Sequence, residues 1–224
     1  MKLHWSPRSP FVRKVMIVLH EKGLAEEVEL VRSAVMMAAE PNPDVLRDNP
    51  LGKIPTLVLD DGTTLFDSAV ICAHLDTLGT GPALTPTDPK ARIDALCLEA
   101  LADGLTDVLL LWRIEMTRGT KANQTISDGF ATKVRATLAW LEARSASLSP
   151  QGFGIAQAAL VSALGQIEFR YPDCGWKPVH PGLAAWYATQ QQRSSVSATA
   201  VKDDGALPMG DVVMPLRFDA PQPA

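Results

Sequence analysis

A change of periodicity near residue 80 divides this chain into two parts that cannot share one architecture. Before it, short extended runs alternate with helical patterns; beyond it, helical spacing alone persists until the tail. Lys2–Trp5 reads as a strand, and Val12, Val15, Met16 and Leu19 follow the i, i+3, i+4, i+7 spacing of an amphipathic helix closed by Gly23. Val28–Val31 reads as a second strand, and a Pro- and Asn-rich stretch with a short helix comes after it. Thr56–Leu59 and Thr63–Phe66 flank Asp60-Asp61-Gly62, a hairpin signal, and a helix is expected from Ser68 to about Leu78. Because the first two strands need a crossover to lie parallel, this order predicts a small mixed sheet covered by helices, an α/β unit.

Gly79-Thr80-Gly81-Pro82, Thr85-Pro86 and Pro89 interrupt the pattern as linkers do. Leu96, Ala100, Ala102, Leu105, Val108, Leu109 and Trp112 then recur at helical spacing between Pro89 and about Thr117. Phe130, Val134, Leu138 and Leu141 do so between Ser127 and about Ala146. Ile155–Phe169 and Pro181–Gln192 supply further helices, so the second part reads as an all-α bundle. The division is therefore 1–79 for the α/β domain, 80–88 for a linker, 89–201 for the helical domain and 202–224 for an extended, proline-bearing tail.

Composition removes several classes of function. A net charge of −4, without a Lys/Arg-rich run interleaved with aromatics, gives no general reason to bind nucleic acid. No apolar run approaches the ~18 residues of a membrane span, and Lys2-Leu3-His4-Trp5 opens no signal-peptide core, which points to a cytoplasmic protein. Cys72, Cys97 and Cys174 are odd in number and widely spaced, and neither they nor His4, His20, His74 and His180 stand at ligand spacing. Neither a disulfide scaffold nor a metal site is expected, and Cys72 and Cys97 read as small buried hydrophobes. The expected partner is a small molecule or another protein.

Three segments could carry chemistry. Ser9-Pro10 stands where a strand gives way to a helix, the place of an N-cap followed by Pro at N1, and capping alone would explain it. A helix N-terminus also gathers unpaired N–H groups and the positive end of the dipole, which lower the pKa of a thiol held there. If the sulfur belongs to a ligand, the protein needs only a hydroxyl to donate a hydrogen bond, and Ser9 has one. In Asn49-Pro50-Leu51-Gly52-Lys53-Ile54-Pro55-Thr56, Pro55 opens a strand; a cis bond there would turn the Ile54 N–H and C=O toward a peptide-like ligand. Asp67-Ser68 is an ordinary capping dipeptide, but the same pair suits an α-amino-acid head group, Asp67 meeting the ammonium and Ser68 the carboxylate.

Together, Ser9-Pro10-Phe11-Val12-Arg13-Lys14-Val15, Asn49-Pro50-Leu51-Gly52-Lys53-Ile54-Pro55 and Phe66-Asp67-Ser68-Ala69-Val70-Ile71 resemble the cytosolic glutathione transferase superfamily in wording, order and spacing. The first motif resembles the serine-type bacterial branch and is similar to the plant tau class. Leu101-Ala102-Asp103-Gly104, Trp112-Arg113-Ile114-Glu115, Tyr171-Pro172-Asp173 and His180-Pro181-Gly182 extend the likeness to about residue 200, with His180 structural. The resemblance implies a thioredoxin-like βαβαββα domain followed by an all-α helical bundle, with glutathione as co-substrate. It implies that Ser9 activates the thiol, that Phe11 and Ile54 before a cis Pro55 line the tripeptide, and that Asp67 and Ser68 hold its γ-glutamyl end. Lys53 would reach the glycine carboxylate, and Asp103 the glutathione of a partner subunit in a homodimer. The thiolate would attack a small electrophile against Leu109, Trp112 and Arg113; the alternative is a non-catalytic glutathione-binding or regulatory protein on the same fold. The absence of Cys at position 9 argues against disulfide or dehalogenation chemistry.

One register departs from the family pattern. Where Ser/Thr-x-x-Asp usually opens the sixth helix, this chain reads Gly154-Ile155-Ala156-Gln157. The expectation is a weakened helix start that Gly154→Ser with Gln157→Asp would strengthen by about 1 kcal/mol.

Overall fold

The computed structural model describes residues 1–36, 39–148, 152–205, 212 and 214–218. Four strands, β1 (Lys2–Trp5), β2 (Glu29–Arg32), β3 (Thr56–Val58) and β4 (Thr64–Leu65), form one sheet in the order β2-β1-β3-β4. β1 and β2 are parallel and the other pairings antiparallel, as the crossover through α1 (Pro10–Glu21) requires. α2 (Pro43–Asp48) precedes β3, and α3 (Ser68–Asp76) follows the hairpin. β2 begins one residue later than its hydrophobic pattern suggests. It is a largely exposed edge strand whose limits follow the pairing of Lys2 with Glu29 and Trp5 with Arg32, and Val28 is buried ahead of the ladder.

The helical part consists of α4 (Pro89–Met116), α5 (Gln124–Glu142), α6 (Ile155–Arg170), α7 (Trp176–Val179), α8 (Pro181–Gln191) and α9 (Ser194–Ala198). α5 starts three residues before the expected Ser127, because the Asn123 side chain accepts from the N–H groups of Thr125 (2.9 Å) and Ile126 (3.3 Å). It stops at Glu142 rather than near Ala146, since Ser145–Ser147 tightens into a 3₁₀ turn. α7 and α9 are too short to leave a periodic signal.

Two apolar cores result. One joins α1 and α3 to the sheet through Leu3, Val15, Val18, Leu57, Ile71 and Leu75. The other fills the helical bundle around Trp112, Leu138, Leu160, Leu164 and Tyr171. α1 lies against α6, and the Arg13 guanidinium crosses this junction to the carbonyls of Val161 and Val196, both at 3.4 Å. Gly165 makes the crossing possible, because a Cβ there would collide with the guanidinium. Lys14, 1% exposed, meets Glu99 at 3.0 Å and Asp103 at 2.5 Å on α4. Burial opposes its charge, but the facing carboxylates hold its pKa above the ordinary lysine value.

The segment after α3 is fastened on both sides. Lys22 Nζ donates to the carbonyls of Gly81 (2.9 Å) and Pro82 (3.1 Å), while the Asp76 carboxylate accepts from the Leu84 and Thr85 N–H groups. Leu84 thereby enters the sheet-side core beside Ile155, the first residue of α6.

This arrangement overturns the expectation for Gly154. Gln157 Oε1 accepts from the Gly154 N–H at 3.0 Å, so half of the reciprocal cap is already present. The carbonyl of Leu84 takes the Ile155 N–H at 3.0 Å and sits where a Cβ on residue 154 would have to be, at a separation well under 3.0 Å. Glycine here makes room for the neighbouring chain, and serine would disturb the helix start it was expected to strengthen.

The tail is extended where described. Lys202 N–H donates to Pro7 C=O at 3.2 Å, Met214 and Leu216 are buried in the helical core, and Phe218 N–H donates to Cys174 C=O at 2.7 Å. The Phe218 ring meets His180 edge-on, giving that histidine a packing role. The rest of the tail lies outside the described residues.

Candidate functional site

β1 ends at Trp5, and the loop Ser6–Arg8 delivers Ser9 to the first turn of α1. Ser9 is the N-cap: its Oγ accepts from the Val12 N–H at 3.3 Å, which leaves the hydroxyl proton free to be donated outward. Pro10 at N1 removes one N–H, and the dipole end of a twelve-residue helix remains beside the hydroxyl. Ser9 opens into a cavity of about 180 Å³. Ile54 and Val35 line it from the sheet side, and α4 and α6 close it from the helical side.

Ile54 stands before Pro55 in a cis peptide, with its side chain 9% exposed. Neither its backbone N–H nor its C=O is bonded to a described residue, so both can pair with an extended ligand. Asn49 orders this loop by donating to Lys53 C=O (3.1 Å) and Thr56 Oγ1 (3.0 Å). Beyond β4, Asp67 caps α3 by accepting from the Ala69 N–H at 3.0 Å; its carboxylate is exposed, whereas Ser68 is buried. Lys53 is exposed and lies within electrostatic reach of Asp107 on α4, as does Asp67. Phe11 is half-buried in the first turn of α1 and does not line the cavity.

Asp103 faces this region from α4, but within the chain its carboxylate is engaged by Lys14. Burial pushes its carboxyl above the ordinary range, against the pull of Lys14, and the charge of Asp67 adds to the rise.

On the helical side the expected electrophile residues separate. Arg113 lines the cavity. Leu109 and Trp112 do not: each is 1% exposed in the helical core, where Trp112 Nε1–H donates to Ser127 Oγ at 2.8 Å and the Leu109 carbonyl accepts from Tyr171 Oη–H at 2.7 Å. The face of α4 that lines the cavity is Leu110, Arg113 and Ile114, continued by the C-cap residue Thr117, at i, i+3, i+4 and i+7. A helix turns about 100° per residue, so a reading one position off selects the core face instead. Gln166 and Arg170 from α6, with Arg8 and Arg32 from the sheet side, complete the wall. Their signal in sequence was weak, because they come from elements far apart along the chain.

Among the described residues no group of three or more His, Cys, Asp or Glu side chains could hold a metal ion, and no helix is long and apolar enough to cross a membrane. The model of the family described as Glutathione S-transferase, N-terminal domain, matches residues 8–78, and that of the Glutathione S-transferase, C-terminal domain, matches residues 124–189. The chain belongs to the glutathione transferase family. Among relatives in this family, the uncharacterized GST-like protein YibF of Escherichia coli is 34% identical over 206 residues, covering 89% of this chain and 98% of that protein. A glutathione transferase family member from Pseudomonas fluorescens, solved with bound glutathione, superposes with a TM-score of 0.86 at 43% identity, over 90% of this chain and 99% of that one. A glutathione S-transferase from Methylobacillus flagellatus, also solved with glutathione, gives 0.82 at 35% identity, over 90% and 99%. The four-stranded mixed sheet with its helices, followed by a helical domain, is the fold of these neighbours.

Proposed function

We propose that this chain is a glutathione transferase that binds the tripeptide across Ile54, Asp67 and Ser68 and stabilises its thiolate at Ser9 for attack on a small electrophile. The observation that carries this reading is the Ser9 hydroxyl, with its proton not engaged by any described residue, at the N-terminus of α1 and lining a cavity of about 180 Å³. Binding of glutathione by the Pseudomonas and Methylobacillus neighbours supports it. The thiol of glutathione releases its proton to solvent water, and the thiolate lone pair forms a carbon–sulfur bond. In a substitution, the leaving group departs with the electrons of the bond that breaks. Ser9 and the helix dipole favour the charged sulfur, and the fixed tripeptide and electrophile supply proximity. Lys53 would hold the glycine carboxylate, and Phe11 would pack beside the tripeptide.

In this reading residues 1–79 bind glutathione, 80–88 link, 89–201 supply the electrophile wall and 202–224 form the tail. The protein is a cytoplasmic homodimer of the serine-type branch, in which Asp103 approaches the partner's glutathione. The experiment is retention on immobilised glutathione followed by turnover with a panel of electrophiles, comparing the wild type with Ser9→Ala. One hydrogen bond to a charged acceptor is worth ~1.5–3 kcal/mol, so Ser9→Ala should lose roughly tenfold to a hundredfold in turnover and keep glutathione affinity within about tenfold. Unchanged turnover would remove Ser9 from the mechanism. A wild-type protein that is retained yet inert across the panel would be a glutathione-binding protein instead.

A further inference from the structure

Four arginines, Arg8, Arg32, Arg113 and Arg170, converge on the cavity beside Ser9, in a wall that also carries apolar residues such as Val35, Leu110 and Ile114. Two have carboxylate partners from the tail. Arg8 pairs with Asp203 and, at 3.1 Å, with Asp204, while Arg32 meets Asp204 at 2.6 Å. The Asp203 carboxylate also accepts from the Gly205 N–H at 3.0 Å.

Arg113 and Arg170 are different. Arg113 is 7% exposed, and its buried Nε finds no acceptor among the described residues; neither arginine forms an ion pair with a described residue. Arg170 lies over the Phe169 ring, 3.8 Å from its centroid. Gln166, which lines the same cavity, is 2% exposed, and its Oε1 has no donor among the described residues. Arg113 belongs to the last turn of α4, and Arg170 ends α6, so helix dipoles favour both cations. A dipole does not satisfy a buried guanidinium N–H, which needs an acceptor in line with it. The two cations also oppose one another. Burial, then Arg113 and Arg8, push the Arg170 guanidinium down to about 10 against the pull of Asp203, and burial, joined by Arg8, lowers Arg113 against Tyr171 and Asp203. An anion entering the cavity would relieve that repulsion and supply the missing acceptors, and a planar carboxylate matches the fork of a guanidinium.

We propose that the acceptor pocket selects electrophiles that carry a carboxylate, received between Arg113 and Arg170 while the sulfur is held at Ser9. This rests on the glutathione reading above. It separates the wall into an apolar part for the carbon skeleton and a cationic end that sets which electrophiles are used.

The test is titration calorimetry of the full chain with glutathione, with S-(ω-carboxyalkyl)glutathiones bearing one to four methylenes, and with the matching amides, which have the same shape without the charge. At the best chain length the acid should bind at least about tenfold more tightly than its amide, the difference a charge-assisted pair confers. Arg113→Gln and Arg170→Gln should each reduce that preference to about threefold or less and leave glutathione affinity within about twofold. Since Arg113 is buried and its variant could unfold, the wild-type comparison and the half-buried Arg170 position each suffice as a test. Equal binding of acid and amide at every length overturns the proposal. Loss of glutathione affinity in parallel with conjugate affinity also overturns it, because the arginines would then serve the tripeptide's own carboxylates. Failure of the wild type to bind glutathione itself would instead overturn the reading on which the proposal stands.

Discussion

Replacing Gly154 by serine sets a local rule against a tertiary contact. By the local rule, serine at an N-cap contributes a side-chain acceptor that glycine lacks, a gain of a few tenths of a kcal/mol. By the tertiary one, a Cβ at residue 154 would lie under 3.0 Å from the Leu84 carbonyl, an oxygen of the backbone rather than the end of a flexible side chain. That oxygen accepts the Ile155 N–H at 3.0 Å, and the Leu84 N–H is itself held by Asp76 at 2.8 Å, so the segment cannot simply swing aside. Relieving the overlap costs about 1–3 kcal/mol in displaced packing, and weakening the Leu84–Ile155 hydrogen bond adds about 0.5–1.5 kcal/mol. After the cap is credited, the net loss is about 2 kcal/mol, which for a chain of this size lowers the melting temperature by about 4–8 °C. Gly154→Ala, with the same Cβ and no hydroxyl, should melt slightly lower still. Gln157→Asp gives up the Nε2 bond to Leu148 C=O (3.2 Å) and should also lose stability. Thermal unfolding followed by circular dichroism decides the matter: a Gly154→Ser protein melting at or above the wild-type temperature would refute the steric argument and restore the capping one.

Asp67→Asn, which keeps an acceptor for the Ala69 N–H, should weaken glutathione binding about tenfold, against about threefold or less for Lys53→Ala, whose side chain is exposed and solvated; equal losses by calorimetry would remove Asp67 from the γ-glutamyl site. Glu21, with a side chain only 8% exposed, accepts from Arg193 at 2.6 and 2.7 Å and from Ser195; burial would raise its pKa, but these partners hold it below the ordinary 4.5. A depressed folded pKa means that this tie stabilises fully above the unfolded value and is lost as pH falls through the folded one. Wild type should therefore outlast Glu21→Gln by about 1 kcal/mol near neutrality, with the gap closing below about pH 4, and a gap that widens in acid would contradict the assignment. Light scattering at micromolar concentration should give twice the 24.1 kDa chain mass, as a C₂ homodimer requires, and a monomer would refute the dimer.

The amino-acid sequence by itself determined the elements whose signals are local. Alternation and helical spacing marked β1, α1, β3, α3 and the four long helices, because burying one face imposes its period on the residues that form it. The Ser9-Pro10 cap and the Asp67-Ser68 cap were legible for the same reason, since each side chain bonds a backbone group two or three residues away. What lies across the chain was not legible. Whether Leu109 or Leu110 faces the cavity depends on how α4 is rotated about its axis, and that rotation is set by α5 and α6, which cover Leu109 and Trp112. Arg8, Arg32, Arg113 and Arg170 are unremarkable singly, and only the packing of α4 and α6 against α1 brings them to one cavity. Gly154 looked like a missing cap because the residue that excludes a side chain there, Leu84, is seventy positions away. Local hydrogen bonds and periodicity are written in neighbouring residues, whereas the identity of a helix face, the charge of a cavity and the space left for a Cβ are properties of segments that meet only after folding.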